Sequence, residues 1–151
     1  MSLESLADPA LIFPALRCSD AADLLRQMAR KIVDSGRVKD PGRLFEKLWE
    51  REQLGTTAIG AGVAIPHCKM AKLGQVVLAV GLLEEGIDFA AVDEQPVRVV
   101  FCIVSPDESP AAHLQCLAAI SRWVKENRHI ERLLELEDPQ AIYALLREDG
   151  A

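Results

Sequence analysis

The chain has 151 residues, half of them hydrophobic, which suits one globular domain with a sizeable core. Its 17 basic and 23 acidic residues leave a net charge of −6, which argues against nucleic acid as the main partner and suits a small basic protein instead. No run approaches the roughly eighteen consecutive apolar residues of a membrane span, and the opening "MSLESLADPALIFPAL" lacks the layout of a secretory signal, so the expected place is the cytoplasm without membrane insertion.

After the short apolar run "LIFPALRC", Ser19 or Asp20 is placed to cap a helix. Its Ala21, Leu24, Leu25, Met28, Ile32 and Val33 recur at helical spacing, and Gly36 ends it. Asp40-Pro41, a cap followed by proline at the first helical position, starts a second helix with Leu44, Phe45, Leu48 and Trp49 on its apolar side. Gly55 stops that helix and leaves Arg51 in its last turn. Three strands are expected next: part of "GTTAIGAGVAIPHCKM", then "QVVLAVGLL", then "PVRVVFCIVS". The last two are continuous apolar runs rich in β-branched residues, as strands covered on both faces require. A short "GIDF" segment and a polar "VDEQP" turn separate them. "SPAAHLQCLAAISRWVKEN" opens with a serine cap and Pro110 and reads as a helix to about Asn127. A short helix near residues 130 to 136 and another from Asp138-Pro139, carrying Ile142, Leu145 and Leu146, complete the layout. Without repeats or long linkers, one domain covers residues 1–151: an α/β sandwich, a sheet with helices on both sides.

Three histidines and four cysteines are the candidates for chemistry. His67 follows Pro66, which fixes φ and removes a backbone donor, and Gly60 and Gly62 permit backbone conformations that side chains block. Such a frame can present an imidazole and offer N–H groups to an anion, or it can be a tight β-connection carrying a surface histidine. His113 falls in the first turn or so of its helix, where the dipole favours a neutral ring and free N–H groups welcome an anion; a locally hydrogen-bonded histidine is the plainer alternative. His129, within "ENRHIER", reads as a solvated residue without a role. Arg51 is either part of a charged helical surface or a guanidinium able to clamp a phosphate with two hydrogen bonds, and Thr56 and Thr57 place hydroxyls beside it. Cys18, Cys68, Cys102 and Cys116 form no CxxC pair or disulfide framework, and Cys102 lies within an apolar run as a buried small hydrophobe. His67, Cys68, His113 and Cys116 supply two nitrogens and two sulfurs for a zinc set. Neighbours such as His67 and Cys68 point to opposite faces of an extended segment, however, and lack chelating spacing, so no metal is expected.

The segment "REQLGTTAIGAGVAIPHCK" resembles the active-site signature of the fructose/mannitol-type enzyme IIA of the bacterial phosphoenolpyruvate-dependent phosphotransferase system. "GIDFAAVDEQPVRVVF" and "HLQCLAAIS" resemble two further blocks of that family in the right order, so the resemblance covers most of residues 40 to 125. It implies a mixed five-stranded sheet flanked by helices on both faces. It also implies a phosphorelay in which His67 accepts a phosphoryl group on Nε2 from an HPr-like phosphocarrier, without metal or organic cofactor. By the same resemblance His113 matches the second histidine of the site and Arg51 the arginine of the R-E pair. Thr56, Thr57, Gly60, Gly62 and backbone N–H groups of residues 55 to 62 are expected to help hold the phosphate. Thr57-Ala58 stands where the family usually has T-G, and Cys68 where glycine is frequent; neither change removes a phosphoryl-handling group. Among members, the chain looks most like the nitrogen-regulatory type, which acts on a regulatory protein target according to its phosphorylation state. A sugar-transport IIA passing phosphate to a fructose or mannitol enzyme IIB is the runner-up, and an inactive binding module a third reading.

Overall fold

The computed structural model describes residues 2–148. A one-turn helix, α1 (Leu3–Leu6), and a 3-10 turn (Pro9–Leu11) lead into strand β1 (Ile12–Leu16). Helices α2 (Ala21–Asp34) and α3 (Pro41–Gln53) follow, and the Asp20 and Asp40 side chains cap them by accepting the N–H groups of Asp23 and Arg43. Strands β2 (Ala58–Gly60), β3 (Val63–Ala64), β4 (His67–Met70), β5 (Val77–Ile87) and β6 (Val97–Pro106) come next. The chain then closes with α4 (Pro110–Val124), α5 (His129–Leu133) and α6 (Pro139–Leu146), the last capped by Asp138. Helix α4 ends three residues short of Asn127, and its Ser109 occupies the cap position without a side-chain bond.

The strands run in the order β1-β5-β6-β3-β2, with β4 also paired to β6. β3 and β4 are one lane of the sheet. Val63 faces Val99 and His67 faces Ile103 in the same parallel register, so the lane resumes after Pro66 without slipping. Pro66 lacks an N–H, but its carbonyl accepts Ile103 N–H at 2.9 Å and carries the ladder across the break. The sheet is therefore five lanes wide. It is mixed, with β1 parallel to β5, β5 antiparallel to β6, and β2 antiparallel to β3.

Alternation along β5 and β6 divides the core. Ala79, Leu83, Val100, Cys102 and Val104 pack with Leu24, Leu25, Met28 and Leu44 of α2 and α3. Leu78, Val80, Phe101 and Ile103 pack with Cys116, Ile120, Trp123, Leu133 and Ile142 from α4, α5 and α6 on the other face. Consecutive residues of β4 obey the same rule: Cys68 enters the α2–α3 layer, and His67 turns toward α4.

His129 departs from its expected solvated position. It is fully buried, stacks on Trp123 with ring centroids 4.0 Å apart, and approaches the Trp123 carbonyl through Nδ1 at 2.8 Å. Left-handed backbone at Asn127 and Arg128 turns the chain back at the end of α4 and swings the ring inward while the flanking charges stay outside.

Candidate active site

Three elements deliver the site. β4 opens with His67, α3 brings Arg51 in its last turn, and α4 brings His113 one turn from its start. The His67 and His113 rings lie 5.2 Å apart, tilted by 57°. Arg51 Nε–H donates to His67 Nε2 at 3.2 Å, while its Nη1 donates to the Gly55 carbonyl at 2.8 Å. β2 pairs with β3 alone, so beside β4 the sheet edge is left open and the guanidinium reaches His67 there.

The His67 tautomer follows from its partners. Nδ1 lies 2.7 Å from the Ile65 carbonyl oxygen, which can only accept, so Nδ1 carries the ring proton. Nε2 then holds the lone pair, in agreement with its accepting from Arg51. Burial lowers the pKa of His67; the Ile65 carbonyl opposes the shift, and Arg51 and Lys69 add to it. At neutral pH the ring is uncharged and nucleophilic at Nε2. His113 is 7% exposed, and its Nδ1 lies 2.7 Å from Ser105 Oγ, itself wholly buried at the end of β6. Burial first, then the charges of His67, Lys69 and Arg51, push the His113 pKa down to about 4.

The glycine-rich segment divides into two parts. Thr57 is buried and donates both its N–H and its hydroxyl to the Glu52 carboxylate, each at 2.7 Å. The Thr56 hydroxyl donates to the Phe89 carbonyl and accepts Ala58 N–H. Both threonines thus brace the loop beside Arg51, with their hydroxyls committed to protein partners. Gly55 N–H is given to the Glu52 carbonyl and Ala61 N–H to Asp93, so these donors and those of Thr57 and Ala58 are engaged rather than open to an anion. Gly60 and Gly62, with φ of +94° and +79°, form the β2–β3 turn. That turn sits beyond Val63, about 13 Å along the strand from His67 at four residues' rise, so the structure does not bring the two glycines to the imidazoles.

Cys68 faces the α2–α3 layer and Cys116 the opposite one, so the sheet separates the two thiols of the four-residue zinc set. Among the described residues no group of three or more His, Cys, Asp or Glu is placed to hold a metal ion. Burial pushes the Cys68 thiol up to about 12, which makes it a packed, unreactive neighbour of His67. Two contributors were not singled out from sequence, Glu52 and Ser105. Glu52 stands in the R-E pair, whereas Ser105 is signalled only by a hydroxyl closing an otherwise apolar run.

The arrangement couples a neutral imidazole lone pair with a guanidinium and a second neutral imidazole, the parts needed to receive and stabilise a phosphoryl group. The chain matches, over residues 5–149, the family described as "Phosphoenolpyruvate-dependent sugar phosphotransferase system, EIIA 2". It is 38% identical over 147 residues to a nitrogen regulatory protein of Bradyrhizobium diazoefficiens, covering 97% of this chain and 95% of the relative. It is 36% identical over 148 residues to a fructose-specific EIIA component of Haloferax volcanii, covering 98% and 91%. The fold is shared with the nitrogen regulatory protein IIA-Ntr of Neisseria meningitidis, with a TM-score of 0.88, 24% identity, and coverage of 95% and 98%. Matches of this extent make the chain a member of the phosphotransferase-system EIIA 2 family, a phosphoryl-relay component of the kind that carries phosphohistidine.

Proposed function

We propose that His67 Nε2 accepts a phosphoryl group from the phosphohistidine of an HPr-like carrier, and that the phosphorylated and free forms regulate a protein target in nitrogen control. The observation that carries this reading is the fixed His67 tautomer, with its lone pair between Arg51 and the His113 ring. In the transfer, the donor's P–N bond breaks and its electron pair returns to the donor imidazole. The new bond forms from the Nε2 lone pair, while Nδ1 keeps its proton against the Ile65 carbonyl, which offsets the positive charge gained by the ring. Arg51 turns its N–H groups from Nε2 to the incoming oxygens, and His113 is the second group in reach. The regulatory output is supported by the likeness to the Bradyrhizobium protein. The similar identity to a fructose-specific component supports a second reading, in which the group passes on to an enzyme IIB.

Incubation with phosphorylated carrier is expected to label the wild-type chain and leave His67→Ala unlabelled, with ³¹P–¹⁵N coupling placing the phosphate on Nε2. Equal labelling of the two proteins, or coupling to Nδ1, would overturn the site. Label retained after addition of a fructose-type IIB supports the regulatory reading, and rapid loss to that IIB replaces it with the sugar relay.

A further inference from the structure

The two histidines are held through the same ring nitrogen by chemically different partners. Nδ1 of His67 meets a backbone carbonyl, an obligatory acceptor, so the proton is fixed on Nδ1 and the lone pair on Nε2. Nδ1 of His113 meets the Ser105 hydroxyl, which has one proton to give as well as lone pairs to receive. We propose that Ser105 is a positioning residue for phosphoryl transfer: its O–H donates to His113 Nδ1 and thereby fixes the proton of His113 on Nε2, as a hydrogen-bond donor to the phosphoryl group on His67.

The alternative arrangement is unfavourable on electrostatic grounds. With its proton on Nδ1, His113 would set an Nε2 lone pair against a phosphoryl group of about −2 charge on the neighbouring ring. A protonated imidazolium would donate regardless of Ser105, but burial beside Arg51, Lys69 and His67 keeps His113 neutral, so only the tautomer decides whether Nε2 can donate. Ser105 is well placed to hold that choice. It is wholly buried in β6, in register with Lys69 of β4, and adjoins Pro106 at the strand's end. A buried hydroxyl that follows the apolar residues 99–104 of the strand is costly to keep unless it is hydrogen-bonded, and His113 is its partner. The site then assembles a nucleophile and a donor from two neutral imidazoles, with the Ile65 carbonyl selecting one tautomer and the Ser105 hydroxyl the other.

This inference rests on His67 being the phosphoryl acceptor, and its test separates the two. Long-range ¹H–¹⁵N spectra of the full wild-type chain, labelled at histidine nitrogen, are expected to show His113 with an unprotonated Nδ1 and a protonated Nε2, in both the free and carrier-phosphorylated forms. A protonated Nδ1 on His113 in the phosphorylated form overturns the proposal, whatever any variant does. Ser105→Ala is expected to give a mixture of His113 tautomers and to slow labelling of His67 about tenfold, the effect of one lost hydrogen bond at a transition state. Ser105→Thr, which keeps the hydroxyl, restores the rate, provided its spectrum retains the wild-type fold. A folded Ser105→Ala chain labelled at the wild-type rate also overturns the role of Ser105. Phosphate that appears on a residue other than His67 in the wild type instead removes the acceptor assignment.

Discussion

At the scale of single residues, the site depends on keeping two imidazoles uncharged at a pH where free histidine is part-protonated. His113 in the folded chain titrates near 4, well below the roughly 6.5 of an unfolded chain. Between those values the unfolded state binds the extra proton and the folded state does not, so stability falls as the pH drops through this window. Below about 4 both states are protonated and the His113 contribution to the slope ends. The lowered pKa of His67 acts in the same direction. Urea midpoints of the wild type are therefore expected to decline from pH 6.5 to 4, and His113→Gln, which cannot titrate, to decline less. Equal slopes for the two proteins would show that His113 is not held neutral by its surroundings. On the proposed reading, phosphoryl acceptance by His67 is expected to persist to a lower pH than for an unperturbed imidazole.

At the scale of elements, α3 does more than carry Arg51. Its last turn holds Arg51 and Glu52, and each ties the helix to the loop ahead: Arg51 through the Gly55 carbonyl, Glu52 through both donors of Thr57. Glu52→Ala leaves a buried threonine N–H and hydroxyl without their acceptor. The expected cost is about 1–3 kcal/mol in chemical denaturation, with slower phosphoryl transfer because the Gly55 carbonyl that anchors Arg51 loses its brace. Unchanged stability and rate would mean that the loop is held elsewhere. The starts of α2, α3 and α6 were legible because Asp20, Asp40 and Asp138 cap them within a few residues of sequence. His67, Arg51 and His113 came forward together only through the resemblance, since three separate elements deliver them and local spacing does not show that they meet. Ser105 stayed hidden because its value depends on a contact with α4 eight residues on. His129 was misread because the left-handed turn at Asn127 and Arg128, which points its ring inward, bears only charged and polar side chains. Gly60 and Gly62 were drawn toward the site by their place in the signature, yet their φ angles serve the far hairpin turn.

At the scale of the whole molecule, the position of His67 constrains what the proposed phosphorylation can do. The ring sits at the rim of a sheet whose faces are filled by two apolar layers, and β4 is registered residue by residue on β6. Closely packed cores of this kind do not deform continuously. The phosphoryl group sets about two negative charges at the rim of a chain already at −6, one of them offset by the positive charge of the ring, near two exposed leucines: Leu54, 84% exposed just ahead of Gly55, and Leu114, 66% exposed just after His113. A partner that covers those leucines must also accommodate or reject the new charge, so the switch is expected to reside in the docking face and not in the fold. Amide ¹H–¹⁵N spectra of the free and phosphorylated chains are therefore expected to differ mainly at Arg51 to Thr57, around His67, and at Ser105 to Leu114, with α2, α6 and β1 unchanged. Hydrogen exchange in β5 and β6 is expected to keep the same protection in both forms. Shifts that spread to α6 and β1, or lost protection in β5, would show that phosphorylation drives a rearrangement of the packed layers and would place the switch in the core.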